Sequence, residues 1–303
     1  MTTRSRQWAL LVFLPALAAC DTAAFVADSS AAVLERITPT LAEYWDYETA
    51  GDAAPGAIIQ LEGMLRIVPE NEVILEQLAR AYIGYAYGWI EADAEALEFE
   101  GKYEDADGVR RRTRMMYLRA IDLSRQWIRV NEPGIDEALS GTLPEFEQWV
   151  SETFQETGDA AKLVVAGYAM ASYTNAAKDD MDAVAQLGYA EALIRRSIEL
   201  DPDYDYAAGY TFMGVMAAVE FAGDREESKA FFEKALEITD RRALLVQLNM
   251  ARFYAVQTQN RELFDALLSE VLEAGDVLPA ARMPNRIARV RAQLYLDNAD
   301  QLF

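Results

Sequence analysis

From Tyr189 to Pro202 the chain reads YAEALIRRSIELDP. Ala190, Ile194 and Ser197 stand four and three residues apart, so they share one face of a helix, and Pro202 comes five residues later. Small side chains at the first and third positions let a neighbouring helix approach closely, and the proline stops this helix before the next begins. Ser228, Phe232 and Ala235 repeat the spacing 38 residues further on, with Asp240 in the place of the proline. Ala57, Leu61, Met64 and Pro69 form an earlier version with a larger third residue. A pattern that returns at this interval predicts stacked helical hairpins, TPR-like but divergent.

Outward from that unit the period stays helical. Ile74, Leu75, Leu78, Ala79, Tyr82, Ile83, Ala86, Trp89 and Ile90 recur at three and four, one broad apolar stripe of a helix that runs on toward Phe99. Ala106 to Val130 reads as another long helix, and runs of alternating β-branched residues are nearly absent. The fold class is therefore all-α, a TPR-like solenoid of helical hairpins in a single domain over residues 33–303. Gly134 to Gly158 reads as an insert within it, with PEFEQWVSETF making a helix of its own.

The N-terminus is written in a different composition. Arg4 and Arg6, an apolar run from Trp8 to Ala19 and small residues before Cys20 have the charge, apolar, small order of a secretory signal. The run is shorter than the roughly 20 apolar residues a membrane span needs. Leu17-Ala18-Ala19-Cys20 resembles a bacterial lipobox, which makes residues 1–19 a removed signal peptide, Cys20 the lipidated first residue and 20–32 a tether. Cys20 is the only cysteine, so it has no disulfide partner within the chain, and lipidation accounts for both its presence and its position. The expectation is a periplasmic protein held to the envelope by lipid, with inner and outer membrane both open. The net charge of −22 excludes nucleic acid as a partner and repels anionic lipid, so the membrane is met through the anchor and not through a basic face.

The residue inventory argues against catalysis. With no histidine and its one cysteine committed to lipid, the chain lacks the usual general base near neutral pH and thiolate metal ligands. Fifty carboxylates make neighbours such as Glu98 and Glu100, or Asp179 and Asp180, expected by chance. Asp201-Pro202-Asp203-Tyr204-Asp205 has the opening spacing of a calcium loop without its glycine or closing glutamate. No enzyme activity, cofactor or metal is expected.

Binding has better candidates. Tyr82, Tyr85 and Trp89 lie three and four apart and form either a row of aromatic faces along a cleft or a packing seam between helices. Tyr168, Tyr173 and Asn175 bring polar tips to the central helix. Arg112 belongs to the cluster Arg110, Arg111, Arg112 and Arg114, which either pairs with the acidic stretch Glu91 to Asp107 or docks a carboxylate. Asn249 and Arg252, like Asn285 and Arg289, are polar residues inside strongly helical segments, and Asn285 after Pro284 reads as the N-cap of the last helix.

Several longer stretches resemble one known family. They are LEQLARAYIGYAYGWIEADAE from Leu75, RMMYLRAIDLSRQWI from Arg114, the central DAAKLVVAGYAMASYTNAAKDDMDAVAQL with ALIRRSIELDPDYDYAAGY, and the tail segments NMARFYAVQTQNRELFDALLSEVLEAG and MPNRIARVRAQLYLDNADQLF. From about Leu61 onward the chain resembles the TRAP transporter TatT component family of TPR-like periplasmic lipoproteins. The resemblance implies a non-enzymatic accessory protein that forms a homotrimer with a pore and docks a TRAP-type periplasmic substrate-binding protein. It also implies a small organic-acid or hydrophobic ligand. The rival reading is a TPR scaffold lipoprotein of envelope or outer-membrane assembly.

Overall fold

The computed structural model describes residues 22–219 and 224–303. They form helices α1 (Thr22–Glu43), α2 (Tyr47–Leu65), α3 (Glu72–Tyr85), α4 (Glu91–Phe99) and α5 (Tyr103–Asn131), with a π-helical turn, Ala86–Ile90, joining α3 to α4. The short α6 (Ile135–Ser140) and α7 (Leu143–Thr153) lead to α8 (Ala160–Ala176), α9 (Met181–Ala185) and α10 (Leu187–Leu200). Next come α11 (Tyr204–Val219), α12 (Arg225–Ile238), α13 (Leu244–Asn249) continued by a second π-turn (Met250–Ala255), α14 (Arg261–Glu273) and α15 (Arg282–Asp297). No strand occurs among the described residues, and the architecture is an all-α solenoid. The signal segment and Cys20 lie outside the described residues. Residues 22–32, expected as a tether, form the first half of α1, with Ala27 and Ala31 buried in the same core as Ile74 and Leu78.

The motif Ala190, Ile194, Ser197 is a packing seam. On α10 these three residues are buried against α8, and Ser197 Oγ donates to the Ala160 carbonyl at 2.9 Å. Gly167 on α8 is what allows the approach, since a Cβ there would stand 2.5 Å from Ile194 Cγ1 and 2.9 Å from the Ala190 carbonyl. The second match has the same logic on α11 and α12: Ser228, Phe232 and Ala235 are fully buried, Ser228 Oγ donates to the Gly214 carbonyl at 2.7 Å, and the Phe232 ring lies over Gly214. The third differs. Ala57 is exposed, and the buried line of α2 runs one residue later through Ile58, Leu61 and Leu65, so the pattern there does not carry the close contact.

The region expected as an insert is integral to the central core. Helix α7 spans PEFEQWVSETF within Leu143–Thr153, opened by a capping box between Thr142 and Glu145, and it buries Phe146 and Val150 beside Leu193 and Ile194. Asp136 on α6 takes hydrogen bonds from Arg129 and Arg125 of α5, with N to O distances of 2.7 to 2.8 Å. Those bonds, Arg129's the larger, hold its carboxyl down to about 2. A folded pKa below the unfolded 3.8 means stability present above about pH 4 and lost as pH falls toward 2. Because the pair is nearly half exposed, Asp136→Asn is expected to cost no more than about 1 kcal/mol at pH 7. Urea titrations at pH 7 and pH 2.5 check it, the difference from the parent chain shrinking at the lower pH.

The last helix returns to the first. Arg282 donates to the Glu43 carbonyl at 2.8 Å, Arg286 to the Trp45 carbonyl at 3.2 Å, and Gly88 of the first π-turn packs on Ile287 of α15. Asn285 is not the N-cap of the last helix, which begins at Arg282. Its side chain accepts from the Leu244 amide at 2.8 Å and donates to the Arg242 carbonyl at 2.9 Å, capping α13 from across the fold. Proline tolerates the first turn of a helix, so Pro284 sits within the opening of α15 without placing a cap directly after it.

Candidate functional site

Where the returning α15 meets the first π-turn, charge is buried. Arg291 keeps only 4% of its side chain exposed, and its guanidinium stacks 4.3 Å from the centre of the Tyr87 ring. Nη1 donates to the Tyr87 carbonyl at 2.7 Å, Nη2 to Glu95 Oε2 at 2.7 Å and to the Tyr295 hydroxyl at 2.9 Å, while Glu91 Oε2 stands 3.4 Å away. Tyr117 of α5 donates to Glu91 Oε1 at 2.7 Å and Tyr295 to Glu95 Oε2 at 2.9 Å. Two carboxylates thus share one guanidinium. Glu95 holds the short bond, and burial pushes the Glu91 carboxyl up, opposed in part by Arg291 and by the Tyr117 hydroxyl. Arg291 itself is held charged: burial opposes its charge, but Glu95 and the surrounding tyrosines and Glu91 more than offset that cost.

The π-turn lies where Tyr87 and Glu91 meet Arg291, one position off the apolar stripe that ends at Ala86 and Ile90. A regular helix spaces one face at three and four residues, whereas a π-turn inserts an extra residue into the turn and rotates every later residue of the helix. Straight helical spacing selects Tyr82, Tyr85 and Trp89, and these make their contacts against α2 and α5. Tyr82 donates to Glu62 Oε1 at 2.9 Å, and that carboxylate also takes two bonds from Arg119 at 2.7 and 2.8 Å on the wall of an open groove. Burial and then the Glu62 bond push the Tyr82 phenol up to about 12. Tyr85 accepts from Arg112 at 3.1 Å with the Arg112 guanidinium over its ring, and Trp89 stacks on Tyr47 at 5.0 Å and donates to the Tyr47 carbonyl. All three aromatic side chains remain partly exposed.

The other candidates divide. Tyr168 lies beside Tyr87, Glu91 and Arg291, with its ring 4.7 Å from that of Phe212, and burial raises its phenol well above the usual value. Asn249 contacts the Tyr87 hydroxyl and donates to the Leu245 carbonyl at 2.7 Å, and Arg252 in the second π-turn stands 5.5 Å over the Tyr295 ring. These three join the buried cluster. Tyr173 instead donates to Asp180 at 3.2 Å at the end of α8. Arg110 pairs with Glu98, as the acidic-stretch reading expects, whereas Arg114 pairs with Asp179 and donates to the Ala176 carbonyl at 2.7 Å.

Sequence pattern does not single out Tyr87, Glu91, Tyr117, Tyr295 or Arg291. Arg291 carries a signal all the same, since it falls four residues after Ile287 and four before Tyr295, on the apolar face of α15. Tyr87, Glu91 and Glu95 do stand four apart, but a tyrosine and two glutamates at that spacing read as a solvated helical face. The enclosed groups are not sealed from solvent: Tyr87, Tyr168 and Glu91 are deep enough for desolvation to dominate their titration, yet each keeps accessible surface. The interior between α4, α8, α15 and the two π-turns is therefore polar and charged around Arg291. Among the described residues no group of three or more metal-ligating side chains converges, and the Asp205 carboxylate of the calcium-like stretch pairs with Arg80 at 3.2 Å.

No curated protein matches the chain. The family model described as TRAP transporter T-component matches residues 43–303, which span α2 through α15 and every member of the buried cluster. On that match over most of its length, the chain belongs to the TRAP transporter T-component family.

Proposed function

We propose that this protein is a periplasmic lipoprotein, cleaved before Cys20 and anchored there by lipid, that docks a TRAP-type solute-binding protein and holds a small ligand in its polar interior. Membership of the T-component family makes it an accessory of a TRAP transporter, a family not known for catalysis. The observation that supports the finer reading is the charged cluster built around Arg291 between the two π-turns, where a guanidinium, two carboxylates and the hydroxyls of Tyr117 and Tyr295 are gathered deep in the fold. No described helix is long and apolar enough to cross a membrane, which fits an envelope protein held by an anchor. The outer face of α1 leaves Val26, Val33, Ile37 and Leu41 exposed, an apolar stripe that supports a protein contact, whether with the receptor or with other subunits of a homotrimer built from TPR-like hairpins.

Affinity capture from detergent-solubilised envelopes with the full-length chain tests the reading. The expected result is enrichment of a TRAP solute receptor, reduced when Val33→Asp and Ile37→Asp are combined. Recovery of barrel-assembly or peptidoglycan-linked proteins without any solute receptor overturns it in favour of an envelope scaffold.

A further inference from the structure

The first turn of α11 winds left-handed. Asp205, Tyr206 and Ala207 have φ of 48°, 58° and 58° with ψ of 50°, 47° and 36°, and no other run of three positive φ values occurs among the described residues. None of the three is glycine, the residue that adopts this conformation without steric cost, and in L-residues the Cβ is crowded against the following carbonyl. The local sequence favours the opposite hand. Asp201-Pro202-Asp203 supplies a capping residue, a proline for the first helical position and an acid for the first turn. Asp201 Oδ1 accepts from the Asp203 amide at 3.2 Å, and Ala207 and Ala208 are the strongest of helix formers. By local preference a right-handed helix begins at Pro202.

What holds the left-handed form comes from another helix. Arg80 of α3 reaches the turn with both ends of its guanidinium: Nη1 donates to Asp205 Oδ2 at 3.2 Å and Nη2 to the Tyr204 hydroxyl, while Nε donates to Glu76 Oε1 at 2.9 Å. A turn of the other hand winds from Tyr204 to Ala207 in the opposite sense, so Tyr204 and Asp205 could not both stay on one guanidinium while Gly209 keeps its close packing on Ile198. Backbone strain of this kind persists only where surrounding contacts impose it, and it gathers at clamps and switches. The turn also stands next to the charged cluster. Further along α11 the Phe212 ring lies 4.7 Å from that of Tyr168, which borders Tyr87, Glu91 and Arg291.

We infer that residues 204–207 form a two-state latch on the charged interior. With Arg80 engaged, the turn is left-handed and α11 holds Phe212 against Tyr168. With Arg80 displaced, the turn winds right-handed, α11 lengthens back to Pro202, and Phe212 withdraws from Tyr168, which then meets solvent. The device governs access to the interior, goes beyond the docking and ligand roles proposed above, and depends on neither.

The hand of the turn is read from the sign of one comparison in the full-length protein. Glycine is favoured over alanine in a left-handed position and alanine over glycine in a right-handed helix. Tyr206→Gly is therefore expected to melt about 2–4 °C above Tyr206→Ala, and the order to invert once Arg80→Gln is added. Access is read by nitration with tetranitromethane and peptide mapping. In Arg80→Gln, Tyr168 is expected to nitrate about tenfold faster, as an open form of roughly a tenth becomes the major one, while Tyr117 and Tyr295 keep their rates. Tyr204→Phe, which removes one arm of the latch and keeps the ring, is expected to move both readouts the same way and less, and it serves where Arg80→Gln does not fold. Tyr206→Ala melting above Tyr206→Gly in the parent chain, an order indifferent to Arg80 and Tyr204, or nitration of Tyr168 that is unchanged or matched by Tyr117 overturns the latch. Neither readout uses receptor or ligand, so loss of receptor capture leaves the latch standing, and failure of the latch leaves docking standing.

Discussion

Replacing Arg291 by alanine is expected to remove about 3–5 kcal/mol of folding stability, the cost of leaving a buried charge without its partner. The guanidinium joins Glu91, Glu95, Tyr295 and the Tyr87 carbonyl, so its loss strands two carboxylates inside the protein at once. Against a net stability of about 5–15 kcal/mol for a typical domain, this is enough to leave the fold marginal. Lysine does not repair it, because one ammonium can neither stack on Tyr87 nor bridge both carboxylates in a fixed plane. The pH dependence carries the signature. Burial already raises the Glu91 carboxyl, and losing Arg291 removes the charge that opposes that rise, so in the alanine variant the folded state binds more protons and stability is lost as pH rises through the folded Glu91 pKa and regained as pH falls toward its unfolded value. Urea denaturation from pH 5 to pH 8 measures this, with Arg291→Ala combined with Glu91→Gln and Glu95→Gln recovering much of the loss and flattening the pH profile.

Phe232→Ala is the second large effect, expected at about 3–5 kcal/mol. The ring is fully buried between α12 and α11, with its Cδ2 and Cε2 at 2.9 Å from where a Cβ on Gly214 would stand. That closeness makes the two positions interdependent. Gly214→Ala alone is expected to cost about 1–3 kcal/mol through overpacking, and much less in the Phe232→Ala background, where the methyl enters the space the ring vacated. A double-mutant cycle in urea reads the coupling. Independent, additive costs from the two substitutions refute the seam.

The seam is legible in the sequence because its cause is local. Ala190, Ile194 and Ser197 recur as Ser228, Phe232 and Ala235, and close helix approach demands small or shape-matched residues at those spacings wherever it occurs. The same pattern at Ala57 misleads because spacing gives a helical face without saying which face meets a neighbour, and the neighbours of α2 are selected by Ile58 and Leu65. Asn285 misleads for a related reason: a polar residue after proline has the composition of a cap, but the backbone it caps is 41 residues away in sequence. The interior site is half legible. Tyr168, Asn249 and Arg252 stand out as polar residues in helical segments and do converge, while Tyr87 and Glu91, four apart, read as one more solvated helical face until Arg291 of α15 is brought against them.

The two π-turns at Ala86–Ile90 and Met250–Ala255 have a consequence for how such a site changes over time. Each is in effect a one-residue insertion absorbed inside a continuous helix, and each residue of an α-helix turns the chain by about 100°. Straightening the first turn at unchanged chain length would swing Glu91 away from Arg291 without opening a loop, whereas loss of a single codon at Ala86 would remove the extra residue and leave Glu91 on about its present face. Single-residue length differences at these two places are therefore ones the buried charge cluster can absorb, whereas tightening a turn at constant length is what would disperse it.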